Sequence, residues 1–486
     1  MIQSLHILRK DIRHLWADLS VYAALLIAAS VMIPMGWNGA NASNPPLHIF
    51  IGLLKILIPI IWLVMIARLI HDESLVGDTQ FWITRPYRWT PLLCAKLLFI
   101  VLCLALPFAL TQWAMVLQAG LNPLHTIPKQ LLTLLQTALT VWLTFTVVAS
   151  VTSTVQRMFM SMLAVVIFWG LALTILSASS GPRMALPFAS ETFGIVIGGL
   201  MVAILLYQYA SRNTFRSRIA LVATAFLFVA LFSILVEGRM QGLINFFVRH
   251  HYPISTDASL RLTFDPNGKP SKSPEVRNNT VGKMAIVLVP VSIQGLDPTA
   301  QLDDQSISFT IDAPGYHYVS PWRPAYTEED NVILFVPRQV LDKIHGSNIR
   351  MHISEIAQRM LPDTPQTVTT ASDFSVPGDG RCHLVEGLPG NNVTCRYPFR
   401  IAARTTIRAA VATGSCNSSG STQPGIETLA ARSPVNGPDP TFEIPLHLGG
   451  AVCPGTPITF TPYRPGENFR LELDIPTISL DQYIAR

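Results

Sequence analysis

The sequence predicts an α-helical polytopic membrane domain of about seven spans, followed by an all-β-rich, β-sandwich-like domain outside the cytoplasm. Three observations carry this. Seven apolar stretches fill the first half of the 486 residues. Only 13% of residues are charged, against about 25% in an ordinary soluble domain. Twenty-five of the 36 prolines follow residue 250, which suits strands and turns better than helices.

The halves also differ in charge. Residues 1–250 hold 16 Lys and Arg against 7 Asp and Glu, whereas residues 251–486 hold 19 against 23. The net charge of +5 is therefore a property of the apolar half. Basic residues at helix ends explain it, and it does not indicate a nucleic-acid groove.

Residues 1–18 place Leu5, Leu8, Ile12, Leu15 and Trp16 at helical spacing, continuing to Leu19, with Arg9, Lys10 and Arg13 between them. This pattern predicts an amphipathic helix along the inner interface, its basic residues toward anionic lipid. A plain extension of the first span is the alternative. The segment is too polar for a signal-peptide core, so the first span is expected to remain as an anchor.

A helix needs about 20 apolar residues to cross about 30 Å of hydrocarbon. The membrane domain, 19–240, is expected to place spans at about 19–37, 48–70, 92–117, 131–154, 158–178, 193–210 and 218–236. Pro34, Pro59 and Pro107 fall inside spans, where neighbouring helices can satisfy the freed carbonyls. With the N-terminus inside, eleven basic residues flank the inner ends: Arg9, Lys10, Arg13, Arg68, Arg85, Arg88, Lys96, Arg157, Arg212, Arg216 and Arg218. Four flank the outer ends: Lys129, Arg183, Arg239 and Arg249. The bias predicts a multi-pass protein of the inner cell membrane with a cytoplasmic N-terminus and a periplasmic C-terminal half.

The cysteines agree with that placement. Cys94 and Cys103 lie in the third span as packing residues. Cys382, Cys395, Cys416 and Cys453 lie in the half placed outside, where an even set suggests two disulfides. Four cysteines allow three pairings, of which Cys382–Cys395 with Cys416–Cys453 is preferred on proximity. Four free thiols in a cytosolic domain is the alternative.

Between the second and third spans, His71 to about Pro91 forms a short loop of mixed character. It holds Asp72, Glu73, Asp78, Gly77, the pair Phe81-Trp82, and Arg85-Pro86. Leu75, Phe81 and Trp82 bury poorly in a loop alone and could pack on a partner or at the lipid interface. Pro86 biases Arg85 away from helix. Lys96 opens the third span, where its stem can snorkel to the headgroups. An ordinary solvated connection is the competing reading.

Here the chain resembles the permease subunits of ABC-2-type transporters. That family carries an acid followed by Gly, a hydrophobic pair, an Arg-Pro-like step and a Lys entering the next helix. In this chain they read Glu73, Gly77, Phe81-Trp82, Arg85-Pro86 and Lys96. The layout over about residues 1–212 is similar too, with an interfacial helix before the first span and a tight turn at Val155-Gln156-Arg157. The outer segment Ser179–Thr192 is the one that in the family re-enters the membrane. The resemblance implies a homo- or heterodimer of permease subunits, each docked through the loop to a separate cytosolic ABC-type ATPase. A seventh span and a large outer domain depart from the family.

Other chemistry finds little support. There is no G-x-x-x-x-G-K-[ST], H-E-x-x-H or G-x-S-x-G, so no catalytic, cofactor or metal residues are assigned. The tandem His250-His251 is read as interfacial. Lys55, inside the second span, is read as snorkelling outward, and no acid lies within a span, which disfavours ion-coupled transport.

The outer domain, 251–486, one module or two, alternates short apolar runs with turns. Strands are expected at Met284–Ile293, Ser306–Ile311, Asn331–Val336, Val393–Ile401 and Phe469–Ile475. Turns are expected at Asp265–Gly268, Pro377–Gly380, Pro389–Asn392 and Pro465-Gly466, and helices at Pro337–His345 and Ile353–Met360. Ser415–Asn436 reads as a loop. Tyr316, Tyr318, Trp322 and Tyr326 form either an aromatic binding surface or part of the core. The expected function is a permease-like subunit of an export system driven by a separate ATPase. The alternative is a non-transporting, membrane-anchored protein that displays a sensing or binding domain.

Overall fold

The structure, a computed structural model, describes residues 2–37, 45–72, 89–179, 187–237, 241–268, 284–297, 299–325, 327–328, 331–370, 373–376, 380–385, 392–399, 406–411, 426–430, 438–446 and 455–484. Helices fill the first half: α1 Ile2–His14, α2 Trp16–Met35, α3 Pro45–His71, α4 Trp89–Phe99, α5 Leu106–Gln118, α6 Ile127–Thr137, α7 Leu143–Val151, α8 Val155–Ser179, α9 Pro187–Ser211, α10 Thr214–Glu237 and α11 Gln241–His251. Then come β1 Arg261–Phe264, β2 Met284–Val289, β3 Val291–Gln294, β4 Gln301–Ala313, β5 Tyr316–Val319, β6 Arg323–Pro324, β7 Thr327–Glu328, β8 Asn331–Pro337, the short helix α12 Arg338–Ile344, and β9 Ile349–Pro362. The last strands are β10 Gln366–Thr369, β11 Asp373–Val376, β12 Gly380–Val385, β13 Asn392–Pro398, β14 Thr406–Val411, β15 Ile426–Ala430, β16 Thr441–Leu446 and β17 Pro457–Ile478.

Four of the predicted spans are helices long and apolar enough to cross a membrane: Trp16–Met35, Pro45–His71, Trp89–Gln118 and Ile127–Val151. The three later stretches fall on α8, α9 and α10, of which Val155–Phe168 and Val196–Ser211 count as shorter apolar helices among the described residues. Among the described residues the first half is thus a helical membrane domain with four clear crossing candidates rather than seven.

The chain divides into two compact units. The first joins residues 1–166 and 194–224 to the strands of 363–463. Its helices share a core in which Trp62 of α3 meets Phe108 of α5 and Trp142 edge-on, with centroids 5.1 and 5.4 Å apart. Pro107 has no N–H for the carbonyl one turn back, and its ring crowds that carbonyl. A π-helical turn, Ile100–Ala105, opens the ladder just before it, and the Tyr22 hydroxyl of α2 donates to the Leu104 carbonyl at 3.0 Å. A neighbouring helix thus donates to a carbonyl within the turn that precedes the proline.

The strands of this unit form the antiparallel order β11-β12-β13-β16, while β10 and β14 pair with the start of β17. Cys382 and Cys395 face each other across β12 and β13 and form a disulfide within the core of Phe374, Val393, Tyr397 and Phe460. Cys416 and Cys453 lie outside the described residues. Within the stretch read as a loop, Ile426–Ala430 forms strand β15 on β14, because its apolar run finds a partner edge.

The second unit comprises residues 167–193, 225–362 and 464–486. Here β9 lies between β4 and the rest of β17, and β2-β8-β7 forms another sheet. Val287, Val289, Val332 and Leu334 share one core with Ile307, Phe309, Met351, Ile353 and Leu471, so the two sheets close on each other. The predicted helix at Pro337–His345 is α12. The one expected at Ile353–Met360 is instead part of β9. Ile349, Met351 and Ile353 alternate toward the core, and pairing on both edges overrides the helix-forming composition. Pro465-Gly466 is a β-bulge rather than a turn: the register with β9 shifts between Pro465 and Asn468. A Cβ on Gly466 would lie 2.9 Å from the Arg359 carbonyl, so the close approach needs glycine.

Candidate functional site

The candidate site is the rim of the helical unit that carries α1. This helix presents Ser4, Ile7, Leu8, Asp11 and then Leu15 to the interior, at the spacing of one helical face, and packs against α4. Leu5, Ile12 and Trp16 are exposed on another face, and Arg9, Lys10 and Arg13 are exposed between them. The helix stops at His14 and α2 starts at Trp16, with Leu15 between them.

Asp11 is the one acid on the packed face of α1. Its Oδ2 accepts from Lys96 Nζ of α4 at 2.8 Å, with both side chains at most 3% exposed. Lys96, expected to snorkel to the headgroups, is therefore turned inward and sealed. The physical reason is its partner: an ammonium in an apolar interior persists only where a carboxylate answers it. Such a pair does little for net stability, but it fixes where α1 sits on α4.

Further contacts tie the same rim together. Arg68 Nη1 near the end of α3 donates to Asp18 Oδ2 of α2 at 2.7 Å. His71 Nε2 lies 3.0 Å from the Thr152 carbonyl and 3.2 Å from its hydroxyl, holding the end of α3 on the turn after α7. His14 at the end of α1 meets Asp72 at 3.0 Å. Arg218 Nε of α10 donates to the Val151 carbonyl at 2.9 Å. The loop between α3 and α4 leaves this rim at Asp72 and returns at Trp89. Glu73, Gly77, Phe81, Trp82, Arg85 and Pro86 lie outside the described residues. A load applied to that connection would reach α3 and α4 directly, and α1 and α2 through the two ion pairs.

The opposite end of this unit holds a contact that local sequence patterns could not reveal. Helix α5 closes with a Schellman motif: Leu121 N–H donates to the Val116 carbonyl at 3.1 Å and Gly120 N–H to Leu117 at 3.0 Å, with Gly120 at φ +72°. Its apolar pair, Val116 and Leu121, receives Phe399 from the end of β13. Phe399 is fully buried at φ +47°, a left-handed conformation rare for an aromatic residue. Beside it, Arg396 stacks its guanidinium 4.6 Å above the Trp37 ring and donates to the Trp37 carbonyl at 3.1 Å. The Trp37 indole donates to Asp439 Oδ2 at 3.3 Å. Burial pulls the Arg396 guanidinium down to about 10, and the nearby Asp439 and Asp373 oppose that shift. Trp37 and Asp439 are 402 residues apart, beyond any motif-scale reading.

In the second unit, Glu355 of β9 points into the core opposite Ile307 and Leu471. Neither carboxylate oxygen has a hydrogen-bond partner, and desolvation pushes its pKa up to about 7. Of the aromatic group, Trp322 is buried, with its indole donating to Asn245 at 3.0 Å. Tyr316 and Tyr318 are half-buried, and Tyr326 lies outside the described residues. His251 contacts Asn468 at 3.1 Å while His250 is exposed. Among the described residues, no three potential ligands gather as a metal site. Lys55 is exposed on α3. No protein-family model matches the chain, and no curated protein matches it.

Proposed function

We propose that this protein is the permease-like membrane subunit of an ABC-2-type export system, driven by a separate cytosolic ATPase that docks on the loop from Asp72 to Pro86. In this reading α8, α9 and α10 provide the fifth to seventh spans. The N-terminus and the α1 rim face the cytoplasm, and the strand-rich half lies outside it as a β-sandwich-like domain. The permease works as a homo- or heterodimer, and closure of the ATPases moves the loop and reorients the spans.

The observation that carries the reading is the buried Lys96–Asp11 pair. It fastens the amphipathic α1 to the helix that the loop enters, so force on the loop need not be lost in a floppy connection. The Arg68–Asp18 and His14–Asp72 contacts at the loop's departure point support it. The Cys382–Cys395 disulfide fits an oxidising exterior.

The test is copurification of a P-loop ATPase with the wild-type chain and with charge-reversed loops, Glu73→Lys and Arg85→Glu. Binding should be lost while folding, read by the integrity of the disulfide, is kept. Wild-type binding by both variants would overturn the docking role. The absence of any copurifying ATPase would favour a display protein. Cysteine labelling near residue 300 in intact cells tests the topology: labelling only after the inner membrane is breached would rule it out.

A further inference from the structure

Helix α11 is an amphipathic element that only one of its faces explains. Ile244, Val248 and Tyr252 are buried against Trp322 and Ile356, and Asn245 Oδ1 accepts the Trp322 indole proton at 3.0 Å. This face fastens the helix to the strand-rich unit. The other face presents Phe246, 65% exposed, and Phe247, 43% exposed, as an edge-on pair with centroids 5.8 Å apart. Arg249 and His250 are exposed just beyond them, and the helix contains no acid.

Chain length says what covers this face. Helix α10 ends at Glu237 and α11 starts at Gln241. Four Cα steps span at most about 15 Å, at about 3.8 Å each. The headgroup layer on each side of a bilayer is roughly 5–8 Å deep. A helix tethered that closely to the end of a membrane span therefore starts in or beside the headgroups. Adjacent exposed phenylalanines followed by cationic residues are what an interfacial helix needs there: rings at the acyl boundary, basic groups among anionic headgroups.

We propose that α11 lies in the outer leaflet, with Phe246 and Phe247 inserted among lipids, and that it seats the strand-rich unit on the membrane surface. The proposal rests on the reading that α10 crosses the bilayer. Its consequence is that the strand-rich unit is held at the lipid surface instead of on a free stalk.

The experiment is photo-cross-linking of the full chain in native membranes, with p-benzoylphenylalanine replacing Phe246, Phe247, Phe226 or Arg350 in turn. Phe226 is an exposed side chain on α10 and Arg350 an exposed one on β9, so they serve as lipid-facing and solvent-facing controls. Lipid adducts at 246, 247 and 226, with none at 350, are the expected result. Lipid adducts at 226 without any at 246 or 247 overturn the placement of α11 and leave α10 as a span. Protein adducts at 246 and 247, from a second copy or another protein, overturn it as well. If 226 also gives no lipid adduct, the span assignment of α10 fails and takes this inference with it.

Discussion

The two compact units answer a buried charge in opposite ways. In the helical unit, Asp11 and Lys96 are both sealed from solvent and satisfy each other at 2.8 Å. In the strand-rich unit, Glu355 is equally buried, and neither of its oxygens has a hydrogen-bond partner. In the pair, each charge supplies what the other lost on leaving water. The lone acid has no such partner, so desolvation shifts its protonation upward. A paired buried charge specifies position, since it tolerates only one docking of α1 on α4. An unpaired one specifies nothing and leaves a pH-dependent weakness in its core.

The largest effect should come from splitting the pair. Lys96→Met removes the closest countercharge of the buried Asp11, leaving Lys10 Nζ at 3.9 Å on its other oxygen, and should cost about 3–5 kcal/mol. Segment-resolved hydrogen exchange in detergent should show that loss in α1 and α4. The double variant Lys96→Met with Asp11→Leu should regain most of it, because apolar replacement of a buried pair is often neutral. A single variant with wild-type protection in α1 would break the comparison, since the pair would then position nothing.

Glu355 tests the other side. Its pKa is raised from 4.5 to about 7 in the folded protein, so the folded state binds the proton more tightly than the unfolded chain. The penalty is therefore absent below about pH 4.5, grows as pH rises through the interval, and is complete above 7. At 1.36 kcal/mol per unit, the loss between pH 4.5 and 8 is about 3 kcal/mol. Glu355→Met should abolish that slope and stabilise β9 at pH 8, read from intrinsic-rate-corrected exchange of its amides. An unchanged slope would mean that a hydrogen-bond donor or water reaches the Glu355 carboxylate and compensates its burial.

These charges were unequally legible in the sequence. Apolar stretches gave the helical half, and the strands at Met284–Ile293 and Asn331–Val336 followed from β-rich runs between turns. The Cys382–Cys395 pairing was accessible because the two residues are only 13 apart in sequence. Lys96 itself was singled out, but its partner is 85 residues away and resembles one more polar residue in a basic interfacial segment. The sequence Ile353–Met360 reads as helix because Ser-Glu-Ile-Ala-Gln-Arg-Met suits one; only its two neighbours, β4 and β17, make it a strand. Phe399 could not be read at all, since its conformation depends on the α5 terminus that encloses it.

A third kind of answer to a charge lies between Arg396 and Trp37, where an aromatic face adds to nearby carboxylates. Trp37→Ala should cost more than the cation–π term alone, because it also removes the donor to Asp439 and part of the Phe399 pocket. The double-mutant cycle with Arg396→Ala isolates the shared part, expected at about 1–2 kcal/mol for a partly desolvated contact. A coupling near zero would show that Arg396 is held by its other neighbours and that the ring contributes packing only.

The smallest effect sets the scale for the rest. Arg68 and Asp18 approach as closely as Lys96 and Asp11, at 2.7 Å, yet the arginine side chain is 40% exposed and its partner 16%. If burial rather than distance decides what a charge pair is worth, Arg68→Ala should cost no more than about 1 kcal/mol, because solvent screens the exposed partner and readily rehydrates the remaining one. Raising salt should shrink even that difference, whereas the Lys96→Met deficit should be insensitive to it. The measurement is hydrogen exchange at the end of α3 and the start of α2, at low and high ionic strength. Equal, salt-independent losses for Arg68→Ala and Lys96→Met would mean that the whole α1 rim behaves as one dry network. The distinction between a positioning pair and a peripheral one would then disappear.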